Sequence, residues 1–239
     1  MTRPDARRDP DSGPLEILET RVEAALEHVK PHLRGWLHAG MTPLALVMGI
    51  VLVVLATTTE GKVSAAVFGG TAVLLFGTSA VYHRGTWSPR VGGFLRRFDH
   101  SNIFLIIAGT YTPFALLLPT DQATRMLVIV WTGAILGVLF RVFWTSAPRW
   151  LYVPAYMMLG WVAVFYFGPL LEHAGGAVMA WVVVGGVLYS LGALVYGIKR
   201  PNLSPRWFGF HEVFHALTIL AFAAHFVAAS LALTGTPTV

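Results

Sequence analysis

Long runs of apolar residues, almost free of charge, recur along this chain and limit what it can become. "PLALVMGIVLVVLA", "AAVFGGTAVLLFGTSAVY" and "AWVVVGGVLYSLGALVYG" are three of them. A helix on the surface of a soluble domain carries its apolar residues in a stripe with polar residues opposite. These runs are apolar on all sides and approach the roughly 20 residues that a helix needs to cross the hydrocarbon core. Only 12% of the residues are charged, where a soluble domain carries about a quarter. The expected fold class is an all-α integral membrane protein. Cysteine is absent, so disulfides and thiolate metal sites are excluded, and any metal must be held by His, Asp, Glu or water.

Seven spans can be drawn, at roughly 41–59, 63–83, 99–118, 125–144, 150–168, 177–197 and 210–233. The first 14 residues are rich in Pro and charge and read as a disordered tail. No apolar stretch in the first 35 or so residues precedes a small-residue cleavage site, so no signal peptide is expected. Residues 15–37 place Leu15, Leu18, Val22, Leu26, Val29 and Leu33 at helical spacing among Glu and Arg. That pattern predicts an amphipathic helix on the cytoplasmic membrane surface, leaving 38–239 as the membrane domain. Of the 17 Lys and Arg residues, all but Lys62 and Arg125 fall on one side of the seven-span arrangement. The positive-inside rule then puts the N-terminus in the cytoplasm and the C-terminus outside. The basic balance is a membrane signature, with anionic lipid rather than nucleic acid as its counterpart.

Five polar residues stand out against this frame. Ser79 and His83 end the second span, Asp99 opens the third, and His211 and His215 open the seventh. All are at the cytoplasmic level of an arrangement deduced from Arg and Lys alone. His211 and His215 are four apart, on one helix face one turn apart, so two imidazoles can reach one ion. A His from span two, the pair from span seven and a carboxylate from span three can converge across a bundle. Three neutral His with an open position and a nearby Asp is the pattern of a catalytic zinc site. Ionisable groups within spans are costly, which favours a shared purpose over five accidents.

His211-Glu-Val-Phe-His215 also matches the H-E-x-x-H pattern of zinc proteases. There the Glu is the general base, and a third ligand is required. Glu212 follows His211 by about 100° around the helix and need not face a metal. Only His225 lies beyond the motif as a possible ligand, so the protease reading is weak. His28 and His32 sit on the amphipathic helix, and His38 and His173 read as interfacial residues. His100 points about 100° away from Asp99. His225 is about 15 Å deeper than His215 along the same helix and is expected to hydrogen-bond a neighbouring helix. Pro113, in "AGTYTPF", is expected to kink the third span, with Thr110, Tyr111 and Thr112 satisfying the freed groups or lining a cavity.

"SAVYHRG" at 79–85, "FDHSNIFLIIAGTYTPF" at 98–114 and "FGFHEVFH" at 208–215 together resemble the bacterial haemolysin III family. That family is related to the progestin and adipoQ receptors and, more distantly, to the alkaline ceramidases. The resemblance covers the chain from about residue 36 onward. It implies a seven-helix bundle in the plasma (inner) membrane, with Zn2+ held by His83, His211 and His215. It also implies that Asp99 is a direct or water-mediated partner of the zinc, that Ser79 hydrogen-bonds water or a substrate carbonyl, and that Glu212 is no ligand.

The expected activity is zinc-dependent hydrolysis of a lipid amide or ester, with Asp99 and Ser79 as the catalytic pair and membrane lipids as partners. The alternative is a non-enzymatic membrane regulator, fluidity sensor or cytolytic protein in which zinc only ties spans together.

Overall fold

The computed structural model describes residues 31, 33–204 and 206–234. Among them every regular element is helical, apart from an isolated bridge between Ser204 and Phe208. The helices are α1 (Trp36–Leu55), α2 (Thr59–Arg84), α3 (Pro89–Ala115), α4 (Thr120–Phe143), α5 (Arg149–Gly160), α6 (Phe167–Ile198) and α7 (Phe210–Thr234), with a 3-10 segment (Trp161–Tyr166) joining α5 to α6. The tail at 1–14 and nearly all of the expected amphipathic helix at 15–37, with His28 and His32, lie outside the described residues.

Local chemistry sets the helix starts. The Thr58 hydroxyl accepts from Gly61 N at 3.0 Å and caps α2. Ser88 accepts from Val91 N, and Pro89 follows at the first helical position, where its missing N–H costs nothing. That start signal extends α3 ten residues ahead of the apolar run expected at 99, so Arg90, Arg96 and Arg97 ride on the helix rather than on a loop. α3 continues through Pro113.

Among the described residues, five helical stretches are long and apolar enough to cross a membrane: α1, α2, α4, the run Arg149–Ile198, and α7. α3 is not among them because polar residues interrupt its apolar run, from Asp99 to Asn102 at one end and from Thr110 to Thr112 at the other. The run Arg149–Ile198 covers the two spans expected at 150–168 and 177–197. The loop expected between them is helical up to Ala174, and the chain turns at Gly175, whose φ of 77° is strained for any residue with a side chain. Arg149 Nη1 donates to the Tyr196 carbonyl at 3.0 Å, and Trp161 Nε1 to Ser190 Oγ at 3.2 Å. One partner's number rises as the other's falls, so the two halves run antiparallel.

The bundle interior is built from small and aromatic side chains. Ala45, Ala65, Ala72, Ala108, Ala134, Ala228 and Ala229 are fully buried, which brings helices close where lipid supplies no hydrophobic drive between them. Gly49 on α1 and Gly69 on α2 meet backbone to backbone; a Cβ on Gly69 would lie 2.8 Å from Gly49 Cα. Asn102 Nδ2 of α3 donates to the Leu74 carbonyl at 3.0 Å and to Thr78 Oγ1 at 3.1 Å on α2. Together these contacts fix how α1, α2 and α3 stand beside one another, which in turn fixes the site at one end of the bundle.

Candidate metal centre

The start of α1, the end of α2, the Asp99 turn of α3 and the start of α7 gather at that end. His83, His211 and His215 each offer a ring nitrogen, and these atoms lie within 4.8 Å of one another. His83 Nε2 and His211 Nε2 are 3.1 Å apart. His215 is 2% exposed, and its Nδ1 has no hydrogen-bond partner. Three imidazoles turned toward one point, beneath an apolar bundle, are a donor set that fits a divalent cation taken by neutral nitrogen. A triad of this kind can hold a metal ion.

Asp99 reaches the same point from α3. Its Oδ2 lies 3.7 Å from His83 Nε2 and 3.7 Å from His100 Nδ1. The Ser79 side chain lies beside the Asp99 carboxylate. Ser79 is buried one turn before His83 on the same face of α2. The structure thus brings together all five residues singled out in the sequence. His100 turns its Nδ1 to the Arg96 carbonyl of its own helix at 2.8 Å and lines the space beside Asp99.

Glu212 does something other than the H-E-x-x-H match suggests. Fully buried, it accepts Gly209 N at 2.9 Å through Oε2, reaching back to cap the first turn of α7. Its Oε1 accepts Arg34 Nε at 2.9 Å. The carboxylate is spent on anchoring the helix start and the segment that leads into α1, and it is absent from the histidine triad.

His38 corrects the sequence reading. Expected at the interface, it is 2% exposed and stacks on His215, with ring centroids 3.7 Å apart and planes 10° from parallel. Neither of its ring nitrogens completes a hydrogen bond of good geometry, although the His215 backbone is near. His38 lies in the first turn of α1, at the same end of the bundle as the other five residues, and the packing of α1 against α7 turns it inward. His173, by contrast, bonds the Pro169 carbonyl of its own helix at 2.8 Å, near the turn at the far end of the α5–α6 hairpin.

From the histidine cluster a cavity of about 250 Å³ runs into the bundle. Leu75, Ile103, Ile107, Phe114, Met179 and Val183 are among its apolar walls. The hydroxyls expected to matter on α3 are mostly occupied. Thr110 donates to the Ile106 carbonyl at 2.7 Å and Thr112 to Ala108 at 3.0 Å. The Tyr111 hydroxyl donates to the Gly160 carbonyl at 2.6 Å and accepts from Ala163 N at 2.8 Å, so it satisfies backbone groups where α5 gives way to the 3-10 segment. His225 Nε2 bonds the Val182 carbonyl of α6 at 3.0 Å, the cross-helix bond expected of it, and its ring also borders the cavity.

Known proteins are similar to this chain in sequence. A family-wide sequence profile described as "Haemolysin-III related" matches residues 26–226. The chain is 29% identical over 203 residues to "Hemolysin-3 homolog" of Bacillus subtilis (strain 168), covering 83% of this chain and 92% of that protein. It is 30% identical over 175 residues to "Hemolysin-3" of Bacillus cereus, covering 71% and 80%. It is 27% identical over 193 residues to "Adiponectin receptor protein" of Drosophila melanogaster, covering 71% of this chain but 42% of that one. Long apolar helices and these relatives together make it an integral protein of the plasma membrane. The extent of the profile match, which takes in every residue of the histidine cluster, decides the affiliation: the chain belongs to the haemolysin-III related family.

Proposed function

We propose that the protein is a zinc-dependent hydrolase of lipid amide bonds that works at the cytoplasmic end of seven membrane crossings. The crossings would be α1, α2, α3, α4, α5 with the 3-10 segment, α6 beyond Gly175, and α7. The N-terminus would be cytoplasmic, an orientation supported by the one-sided placement of Lys and Arg. One observation carries the functional reading. Three histidine nitrogens, a carboxylate and a serine hydroxyl meet beside an apolar cavity.

His83, His211 and His215 would hold the metal. When bound, zinc supplies Lewis acidity, toward a carbonyl and toward water. The chain's own residues do the rest. The cavity walls take the acyl chain of a ceramide-like lipid and leave its amide at the histidine cluster. Asp99 accepts the proton of the attacking water and returns it to the leaving nitrogen, so the amide C–N bond is exchanged for a C–O bond and the proton count balances. The Ser79 hydroxyl, beside Asp99, holds that carboxylate in place. Glu212, committed to Gly209 and Arg34, takes no part.

Hydrolysis of ceramide and N-acyl amino acids by purified, zinc-loaded protein tests this reading against a His211→Ala control. Release of fatty acid above the control supports it. Equal release from both would sink it and leave the second reading, a membrane regulator or cytolytic protein with a structural metal. The names carried by the relatives, a haemolysin and a receptor, are what favour that alternative.

A further inference from the structure

Two buried polar atoms on residues that border the cavity lack partners, and they belong to facing helices. Tyr189 is on α6 and His225 on α7, with ring centroids 5.6 Å apart. Both residues border the cavity. The Tyr189 hydroxyl and His225 Nδ1 are each inaccessible and without a hydrogen bond. Other hydroxyls along the same walls are already satisfied: Thr110, Ser190 and Thr218 each donate to a carbonyl of their own helix, and Tyr111 to Gly160. The pair is therefore not part of a general polar lining.

The hydrogen bond to Val182 fixes what the pair offers. A carbonyl only accepts, so His225 Nε2 carries the proton, and Nδ1 of the neutral ring is a bare acceptor. The Tyr189 hydroxyl can donate and accept. An acceptor and a donor left unpartnered side by side on facing helices are complementary to a hydroxyl group, which donates its hydrogen to Nδ1 and accepts from the phenol. The arrangement is built for close approach. Gly185 packs directly against the His225 ring, and any side chain there would collide with it. In lipid an unsatisfied polar group finds no compensating water.

We propose that Tyr189 and His225 form a second subsite that binds a hydroxyl carried on the chain of the cavity's lipid. Ten residues separate His225 from His215, so the subsite lies about 15 Å further along α7 than the histidine cluster. The hydroxyl is accordingly in the distal part of the chain, and the ligand class is a hydroxylated long-chain acyl lipid. The inference rests on the lipid-cavity reading above, not on catalysis.

The test is competition binding to the purified full chain, with stearate and stearate hydroxylated in its distal half each displacing a fluorescent fatty acid. The hydroxylated acid is expected to bind roughly ten-fold tighter. The preference should vanish in Tyr189→Phe, which removes one oxygen and keeps the ring, and in His225→Phe, while affinity for stearate is retained. Equal binding of the two acids by the unaltered chain means that the pair holds no more than a water, and overturns the subsite alone. A preference that survives both substitutions also overturns it. Displacement by neither acid overturns the lipid-cavity reading and the subsite with it.

Discussion

His38 and His215 lie face to face, their ring centroids 3.7 Å apart and their planes 10° from parallel. One belongs to the first turn of α1 and the other to the histidine triad, so α1 braces the back of a ring that could hold a metal. A group that orients a ligand without touching the metal commonly changes affinity by 10- to 100-fold when lost. His38→Ala is expected to weaken zinc binding by about that factor, read by competition with a chelator of known affinity. His38→Phe keeps a flat ring in the same place and should restore most of the loss. If Phe fails where His succeeds, the ring nitrogens rather than the stacking are what matter.

The triad joins α2 to α7, so a bound ion acts as a cross-link between helices distant in sequence. A ligand held only by the folded state stabilises it by about 2.7 kcal/mol when present at 100 times its dissociation constant. Chelation of the purified protein should therefore lower Tm by something on the order of 5–10 °C. The same treatment should leave His211→Ala and His83→Ala unmoved, because their site is already broken. Elemental analysis of the three proteins, prepared without added metal, should find about one zinc per chain in the first and none in the others. A Tm drop of equal size in all three would mean that the chelator acts elsewhere.

Much of this was legible in the sequence because membrane physics is unforgiving. Lipid demands long apolar runs, so most helices announced themselves, and it penalises polar residues, so Ser79, His83, Asp99, His211 and His215 were conspicuous. What the runs concealed was where helices begin and turn. α3 starts at Pro89 through the Ser88 cap, and its charged first turns carry no apolar signal. Helix continues past the expected end of span five to Ala174, and the turn is left to a single glycine. His38 was missed for a different reason. A lone His near a membrane end is usually interfacial, and only the packing of α1 against α7 turns it inward. Tyr189 was missed because nothing in a sequence tells which hydroxyl on an apolar helix will go without a partner.

Glu212 offers a separate check, because the H-E-x-x-H match and the structure give it opposite duties. Its carboxylate accepts from Gly209 N and from Arg34 Nε. Glu212→Ala leaves a buried N–H unsatisfied and Arg34 without its anion, a loss of about 2–3 kcal/mol once the partial exposure of Arg34 is allowed for. Tm should fall while zinc content holds. Glu212→Gln, which keeps an acceptor for Gly209, should fall less. A general base would behave the other way, with turnover abolished by Gln and stability untouched.

Asp99 and Ser79 separate the two accounts of what the metal is for. Asp99 Oδ2 is 3.7 Å from His83 Nε2, close enough to serve a water at the triad and outside the three-nitrogen set. Asp99→Asn keeps the shape and one acceptor oxygen but cannot take a proton. If the carboxylate is the general base, hydrolysis should drop about 10²- to 10⁴-fold with zinc retained. Ser79→Ala keeps the carboxylate and removes the hydroxyl that positions it, so its loss of rate should be smaller, again with zinc retained. Loss of zinc in Asp99→Asn would instead make the carboxylate a fourth ligand and close the coordination sphere. A closed sphere leaves no position for water or carbonyl, and with it the metal becomes a structural clamp and the cavity a binding site rather than the entrance to a reaction.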